Sequence, residues 1–464
     1  MVFSSAVFVW LFLPIVFVVN CFLKTKISNL FLLAASLVFY AWGEPLLVFV
    51  MIISIVINWA AAVGIFRHPK YKKLFLIVGI VVNLGLLGYY KYAGFLVSMI
   101  NRAAGRDLFS VPQIALPIGI SFFTFQALSF VIDVYRGEEK KCPRLINTAL
   151  YISFFPQLIA GPIVKYRDIN YQIQKRSVTS DKVAAGFKRF IYGLGKKVLI
   201  ANVLGACADK LFGLDVTGIS GSLAWIASLL YTFQIYYDFS GYSDMAIGLG
   251  KMFGFRILEN FDHPYLSKSI QEFWRRWHIS LGSWFREYLY IPLGGNRKGS
   301  VRTYVNLFIV FFLTGLWHGA NVCFIVWGLY HGILSVIERL GFSKVLNKHK
   351  AFGWIYTFLL ANFGWVIFRM ENMHNSLIFI KRMILPWKYL QYQVPLAQYV
   401  DVKTVVVLIL AVIGCGLLTV IIPRKIRRWW KGSVPEAVFC VFVLVLCIAA
   451  MAANTYNPFI YFQF

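Results

Sequence analysis

Of the 464 residues, 59% are hydrophobic and 14% are charged, against about 45–50% and about 25% in an ordinary soluble domain. That excess excludes a soluble enzyme, a disordered chain and a repeat solenoid, and leaves a polytopic membrane protein with room for roughly a dozen spans of about 20 residues each. The 46 Lys and Arg exceed the 19 Asp and Glu by 27, which reads first as basic loops held on the cytoplasmic side and second as attraction for anionic lipid or an anionic, nucleotide-bearing ligand.

Apolar runs predict spans near 7–23, 29–42, 45–66, 74–90, 113–135, 146–164, 186–212, 222–250, 303–317, 322–340, 352–368, 403–422 and 434–453. The first lacks a basic leader and a small-residue cleavage site, and reads as a retained span. Basic loops at 24–26, 67–73 and 136–144 follow the first, third and fifth runs, whereas Gly43-Glu44-Pro45 carries no positive charge. This alternation places the N-terminus outside. Pro156 and Pro162 interrupt the sixth run, and broken segments at membrane depth line cavities. Charge is dense over 165–197 and 275–302. Alternating full spans cannot bring all of it inside, so re-entrant or interfacial helices are expected there. The basic segment 423–431 belongs in the cytoplasm, which leaves Phe464 outside. Cysteines at 21, 142, 207, 323, 415, 440 and 447 form no C-x-x-C pair. They suggest neither a metal site nor a redox motif, and most read as small core residues. No internal repeat is visible. A single integral membrane domain is expected over 1–464, with N-terminal spans (1–145), a core carrying the chemistry (146–340) and C-terminal spans (341–464).

Residues 271–298 predict an amphipathic helix that places Trp274, Trp277, His278, Leu281, Trp284, Phe285 and Tyr288 on one face, with Arg275 and Arg286 on another. Glu272 and Arg276 are i,i+4 partners. An interfacial helix anchored by Trp and Tyr accounts for the aromatics and arginines, but not for His278. In Leu313-Thr-Gly-Leu-Trp-His-Gly-Ala-Asn321, His318 ends an apolar run. An ionisable group at that depth is a functional candidate, with a hydrogen-bonded structural imidazole as the alternative. Gly315 and Gly319 permit close approach of a substrate or a second helix. Asp238 and Asp244 read as ion-pair partners of arginines before ligands or His-orienting groups, and His331 as a packing or hydrogen-bonding residue before a catalyst. The glycine-flanked segment 294–299 lacks Walker spacing and reads as a basic turn. There is no G-x-S-x-G, H-E-x-x-H, P-loop or dinucleotide fingerprint, so hydrolase, metalloprotease and ATPase readings lose support, and a His-centred transfer needing no metal stays open.

Phe273-Trp-Arg-Arg-Trp-His-Ile-Ser-Leu281, Tyr290-Ile-Pro-Leu-Gly-Gly295 and Gly315-Leu-Trp-His-Gly319 together resemble the membrane-bound O-acyltransferases. More narrowly, they resemble the bacterial branch that acetylates alginate and peptidoglycan. Met1-Val-Phe-Ser-Ser5, Phe155-Pro-Gln-Leu-Ile-Ala-Gly-Pro162, Tyr237-Asp-Phe-Ser-Gly-Tyr-Ser-Asp244 and Pro458-Phe-Ile-Tyr-Phe462 extend the likeness along the chain. Teichoic-acid D-alanyl transfer proteins share Arg-Arg-Trp-His and Trp-His-Gly but differ after the first of these.

The resemblance implies an all-α fold: a ring of about 11–13 transmembrane helices with re-entrant and interfacial helices around a thinned central funnel. It implies His318 as the catalytic histidine and His278 as the second, less uniform polar position. Trp274, Arg275, Arg276, Trp277, Ser280, Trp317 and Asn321 would line the substrate site. His318 would be general base to a hydroxyl, and His278 would position the donor or stabilise the oxyanion. Acetyl-CoA would be the donor, with Arg275, Arg276 and Arg297 near its phosphates, and no metal. The acceptor would be an extracytoplasmic polysaccharide, peptidoglycan or alginate-like, reached directly or through a partner acetyltransferase. The setting would be the bacterial inner membrane, in contact with lipid and not with nucleic acid, with both termini outside. Alternatives are D-alanyl transfer to teichoic acid and an acyl-group transporter without chemistry, which calls for repeats.

Overall fold

The computed structural model describes residues 1–392, 396–453 and 456–457. Among these residues there are helices and no strand. Among the described residues, eight helices are long and apolar enough to cross a membrane: Val48–Arg67, Pro69–Ala104, Ser180–Phe212, Ser300–His318, Val322–Lys348, Lys350–Arg369, Val402–Ile421 and Val434–Ala453. Phe8–Cys21 and Thr25–Ala41 are shorter apolar helices. The all-α polytopic expectation holds. The motif beginning at Pro458, and Phe464, lie outside the described residues.

Prolines account for the main departures from the predicted runs. The fifth run becomes helical only at Ile120–Arg136, because Pro112 and Pro117 cannot sit inside a helix and Gly119 takes a left-handed φ of 74°. The sixth breaks at Phe154 into Leu145–Ser153 and Phe155–Leu158. Pro156 lies in the first turn of the second piece, where its missing N–H goes unneeded. The fourth run does not stop at 90: a wider π turn at Gly88–Tyr92 carries it into Ala93–Ala104. Of the cysteines, 207, 323, 415, 440 and 447 are buried, as expected of core residues, while Cys21 is exposed.

The chain forms two compact units, Met1–Phe190 with Ser243–Glu259, and Ile191–Tyr242 with Asn260–Phe464. In the first, Phe3, Phe8, Phe12, Phe39 and Phe155 form a buried aromatic cluster. Asn58 and Asn83 exchange amide hydrogen bonds of 2.6 and 3.2 Å between Val48–Arg67 and Lys72–Leu87. Each thereby satisfies the other in a buried position. Arg189 bridges Asp244 at 2.6 Å and Glu259 at 2.5 Å, the arginine pairing expected for Asp244. An open cavity of about 720 Å³ in this unit is lined by Lys175, Arg176, Lys182, Lys251 and Arg256, with one carboxylate, Asp181.

In the second unit Asp238 pairs with a lysine rather than an arginine: Lys197 lies 2.6 Å away, both side chains buried. Helix Ile270–Arg276 is anchored at its start by the buried Glu338, which accepts from the Ile270 and Gln271 N–H groups at 2.6 and 3.0 Å. Those amides have no partner within the helix. Ser269 Oγ caps the same helix by accepting from Glu272 N at 3.0 Å.

Helices Ser300–His318 and Val322–Ile337 meet backbone to backbone. A Cβ at Gly315 would lie 2.3 Å from the Phe324 carbonyl oxygen, and one at Gly328 would lie 2.3 Å from that of Phe311. Of the two roles open to Gly315, it serves approach of a second helix. Gly328→Val should therefore force the pair apart, costing about 1–3 kcal/mol. Gly332→Ala, where the new Cβ meets a side-chain carbon at 3.2 Å, should be far milder. Thermal unfolding in detergent reads the difference, and equal stability of the two variants would contradict the close-contact account.

Candidate active site

The helix predicted across 271–298 does not run through. Ile270–Arg276 ends, Ile279–Phe285 begins, and His278 sits between them at φ 46°, ψ 51°, a left-handed conformation rare for a non-glycine residue. The reason lies about twenty residues upstream. Asn260 accepts the Ile279 N–H on its backbone carbonyl at 2.9 Å and the Ser280 N–H on its side-chain Oδ1 at 3.1 Å. Arg276 in turn gives its carbonyl to the Asp262 N–H at 2.9 Å. These long-range bonds engage backbone groups that a continuous helix would use, so the single aromatic face and the shared Arg275–Arg286 face do not form. The Glu272–Arg276 pair survives at 2.8 Å, within the first short helix.

The break turns His278 inward. It is 1% exposed, with Phe239 edge-on at 4.6 Å and Trp317 at 5.9 Å between ring centroids. His318, at the last position of Ser300–His318, is also buried. It packs against Trp317 at 4.9 Å, Trp327 at 5.1 Å and Phe368 at 5.1 Å. Trp317 thus touches both imidazoles and brings the two histidines into one aromatic enclosure.

The other predicted residues divide by position. Trp274 packs on Trp327 and on His331 at 5.5 and 5.2 Å. Trp277 packs on Trp365 at 4.7 Å. Both belong to the aromatic wall that continues from His318. Ser280 Oγ donates to Asn260 Oδ1 at 2.8 Å, beside His278. Arg275 is exposed, and Arg276 is half-buried in its ion pair. Asn321 caps Val322–Ile337, accepting from Cys323 N at 2.8 Å and donating to the Glu371 carbonyl at 2.9 Å. His331 is buried among Phe273, Trp274, Trp327 and Tyr330, a packing position. Phe239, Asn260, Trp327 and Phe368 complete the enclosure and were not singled out from the sequence. Asn260 alone left a trace, as an amide inside the polar stretch Glu259-Asn-Phe-Asp-His263.

The membrane-bound O-acyltransferase family profile matches residues 107–379, a span that contains every residue of this enclosure. The chain belongs to the membrane-bound O-acyltransferase family. It is 41% identical to the probable alginate O-acetylase AlgI of Pseudomonas putida, over the full length of both. It is 38% identical to the peptidoglycan O-acetyltransferase of Helicobacter pylori, over 83% of this chain and 80% of that one. To the teichoic acid D-alanyltransferase of Bacillus subtilis it is 29% identical, over 56% and 70%. The chain is a membrane O-acyltransferase.

Burial pushes the His278 imidazolium down to about 3, because the charged form loses its hydration. In the unfolded chain the ring titrates near about 6.5. Below that pH the unfolded state takes a proton that the native state refuses, so stability falls as pH drops from about 6.5 toward 3. Thermal unfolding at pH 7.5 and pH 5 should show a loss in wild type that is smaller in His278→Gln, and equal losses would contradict a neutral buried ring.

Proposed function

We propose that this protein moves an acetyl group from cytoplasmic acetyl-CoA to hydroxyls of an extracytoplasmic cell-wall or secreted polysaccharide, peptidoglycan or alginate-like. The observation that carries the reading is the pair of buried imidazoles on either side of Trp317, in an enclosure walled largely by aromatic rings, with Asn260 and Ser280 beside His278. An imidazole suits general-base work near neutral pH. Burial strengthens any hydrogen bond it makes to a reacting hydroxyl.

In this mechanism His318 takes the acceptor's hydroxyl proton as the oxygen attacks the thioester carbonyl. The new C–O bond forms and the C–S bond breaks. The departing thiolate recovers the proton from the imidazolium, and the products are an acetyl ester and free CoA. His278 holds the donor or answers the developing oxyanion. Trp274, Trp277, Ser280 and Trp317 shape the enclosure, and Asn321 holds its outer loop. The exposed Arg275 and Arg297 are available to the donor's phosphates. The cation-lined cavity of the first unit supports the same preference for anionic ligands.

The bacterial relatives carry acetylase names with polysaccharide acceptors, which favours acetyl over D-alanyl transfer. The basic-loop pattern supports an inner-membrane orientation with both termini outside. Donor inside and polymer outside require that either the site reach both faces or an extracytoplasmic acetyltransferase partner complete the delivery.

A deletion strain complemented with His318→Ala provides the test, read as ester-linked acetate released by mild alkali from cell-wall and secreted polymers. Acetate should fall by about 10²-fold or more, with the protein still present in the membrane. Full acetylation would overturn the assignment of His318, and loss of ester-linked D-alanine in place of acetate would overturn the choice of donor.

A further inference from the structure

Asn260 does more than break a helix. Its Oδ1 faces the Ser280 backbone N–H at 3.1 Å. A backbone N–H can only donate, so the side-chain atom opposite it is the oxygen and not the amide nitrogen. The same oxygen receives the Ser280 hydroxyl at 2.8 Å and stands 3.3 Å from His278 Nδ1. Ser280 Oγ is 3.5 Å from that nitrogen, with its proton directed to Asn260. An unprotonated Nδ1 would set one lone pair against another at 3.3 Å, on a ring that is 1% exposed. A protonated Nδ1 makes the contact attractive.

We infer that Asn260 is a positioning residue that fixes His278 as the neutral Nδ1–H tautomer and leaves its Nε2 as a hydrogen-bond acceptor. The inference rests on the proposal that His278 belongs to the transfer site, and it decides between the two roles offered for that residue. A ring whose one proton is held by Asn260 has none to give a developing oxyanion at Nε2. It accepts instead from an N–H or O–H of a bound reactant: an amide of the thioester's pantetheine arm, or the acceptor hydroxyl. His278 therefore orients a reactant, and the oxyanion is met by other groups. The left-handed backbone belongs to the same device. Asn260 holds residues 279 and 280 through backbone and side chain together, which maintains the φ of 46° at His278 and keeps Nδ1 against the amide oxygen.

Two readouts test this in the full-length detergent-solubilised protein. The first is the long-range ¹⁵N–¹H correlation spectrum of histidine-¹⁵N-labelled wild type, with His278→Gln identifying the resonances. An Nδ1-protonated pattern is expected, and an Nε2-protonated or doubly protonated pattern at neutral pH would overturn the inference. The second compares two replacements of similar size. Asn260→Asp keeps an acceptor facing Nδ1, whereas Asn260→Leu removes it. Acetyl transfer should stay within about threefold of wild type in the first and fall about tenfold or more in the second, at equal protein levels. Equal impairment of both, or full activity of the leucine variant, would overturn the positioning role. Full activity of His278→Gln would instead remove His278 from the transfer site, while the wild-type spectrum still reports its tautomer.

Discussion

The contact between Gly315 and Gly328 is the constraint from which the second unit's chemistry follows. Two helices that approach until a methyl group would strike a carbonyl oxygen at 2.3 Å leave no freedom in their register. Ser300–His318 ends against its neighbour, so its last residue lies beside Trp327 and not in solvent. Trp317, one residue earlier, projects far enough round to reach His278. Helix ends usually expose their last residues to solvent or caps. Here the end of an apolar helix is buried among indoles, and an imidazole takes the place of an apolar side chain.

Charge is distributed to match. Not all of the net +27 is topology or ligand binding, because a share of it is internal structure. Lys197 is consumed by Asp238, Arg189 by Asp244 and Glu259, and Arg369 by Asp209 at 2.9 Å. Arg382 donates to the carbonyls of Thr217 and Ile219. These groups tie segments together where an unpaired charge is costly, and they are unavailable to a substrate. Arg275 stays exposed, as do several cations around the cavity of the first unit. The basic excess therefore includes internal ties as well as cations that stay at the surface.

Most of the helices were legible in the sequence, because apolar length is the one requirement a bilayer imposes on every span. The departures occur where local pattern and chain-distant bonding disagree. Pro112 and Pro117 delay the fifth helix, and their effect was available from the residues. The break at His278 was not. Residues 271–288 have helical aromatic spacing throughout, and the bonds from Asn260 and Asp262 interrupt it. His318 was conspicuous as an ionisable residue ending an apolar run. Asn260 and Trp327 were not: a tryptophan in an apolar helix carries no signal until its neighbours are placed, and an amide in a polar stretch carries only a faint one. The pairing of Asp238 with Lys197 rather than an arginine is of the same kind.

The central claim is that acyl transfer takes place in the enclosure shared by His278, Trp317 and His318. A cryo-electron microscopy map of the protein with a non-transferable ketone analogue of acetyl-CoA tests it most directly. The analogue's carbonyl is expected beside Trp317, with room for an acceptor hydroxyl between the carbonyl carbon and the His318 imidazole. A carbonyl bound elsewhere, with the aromatic enclosure closed around the two histidines, would contradict it.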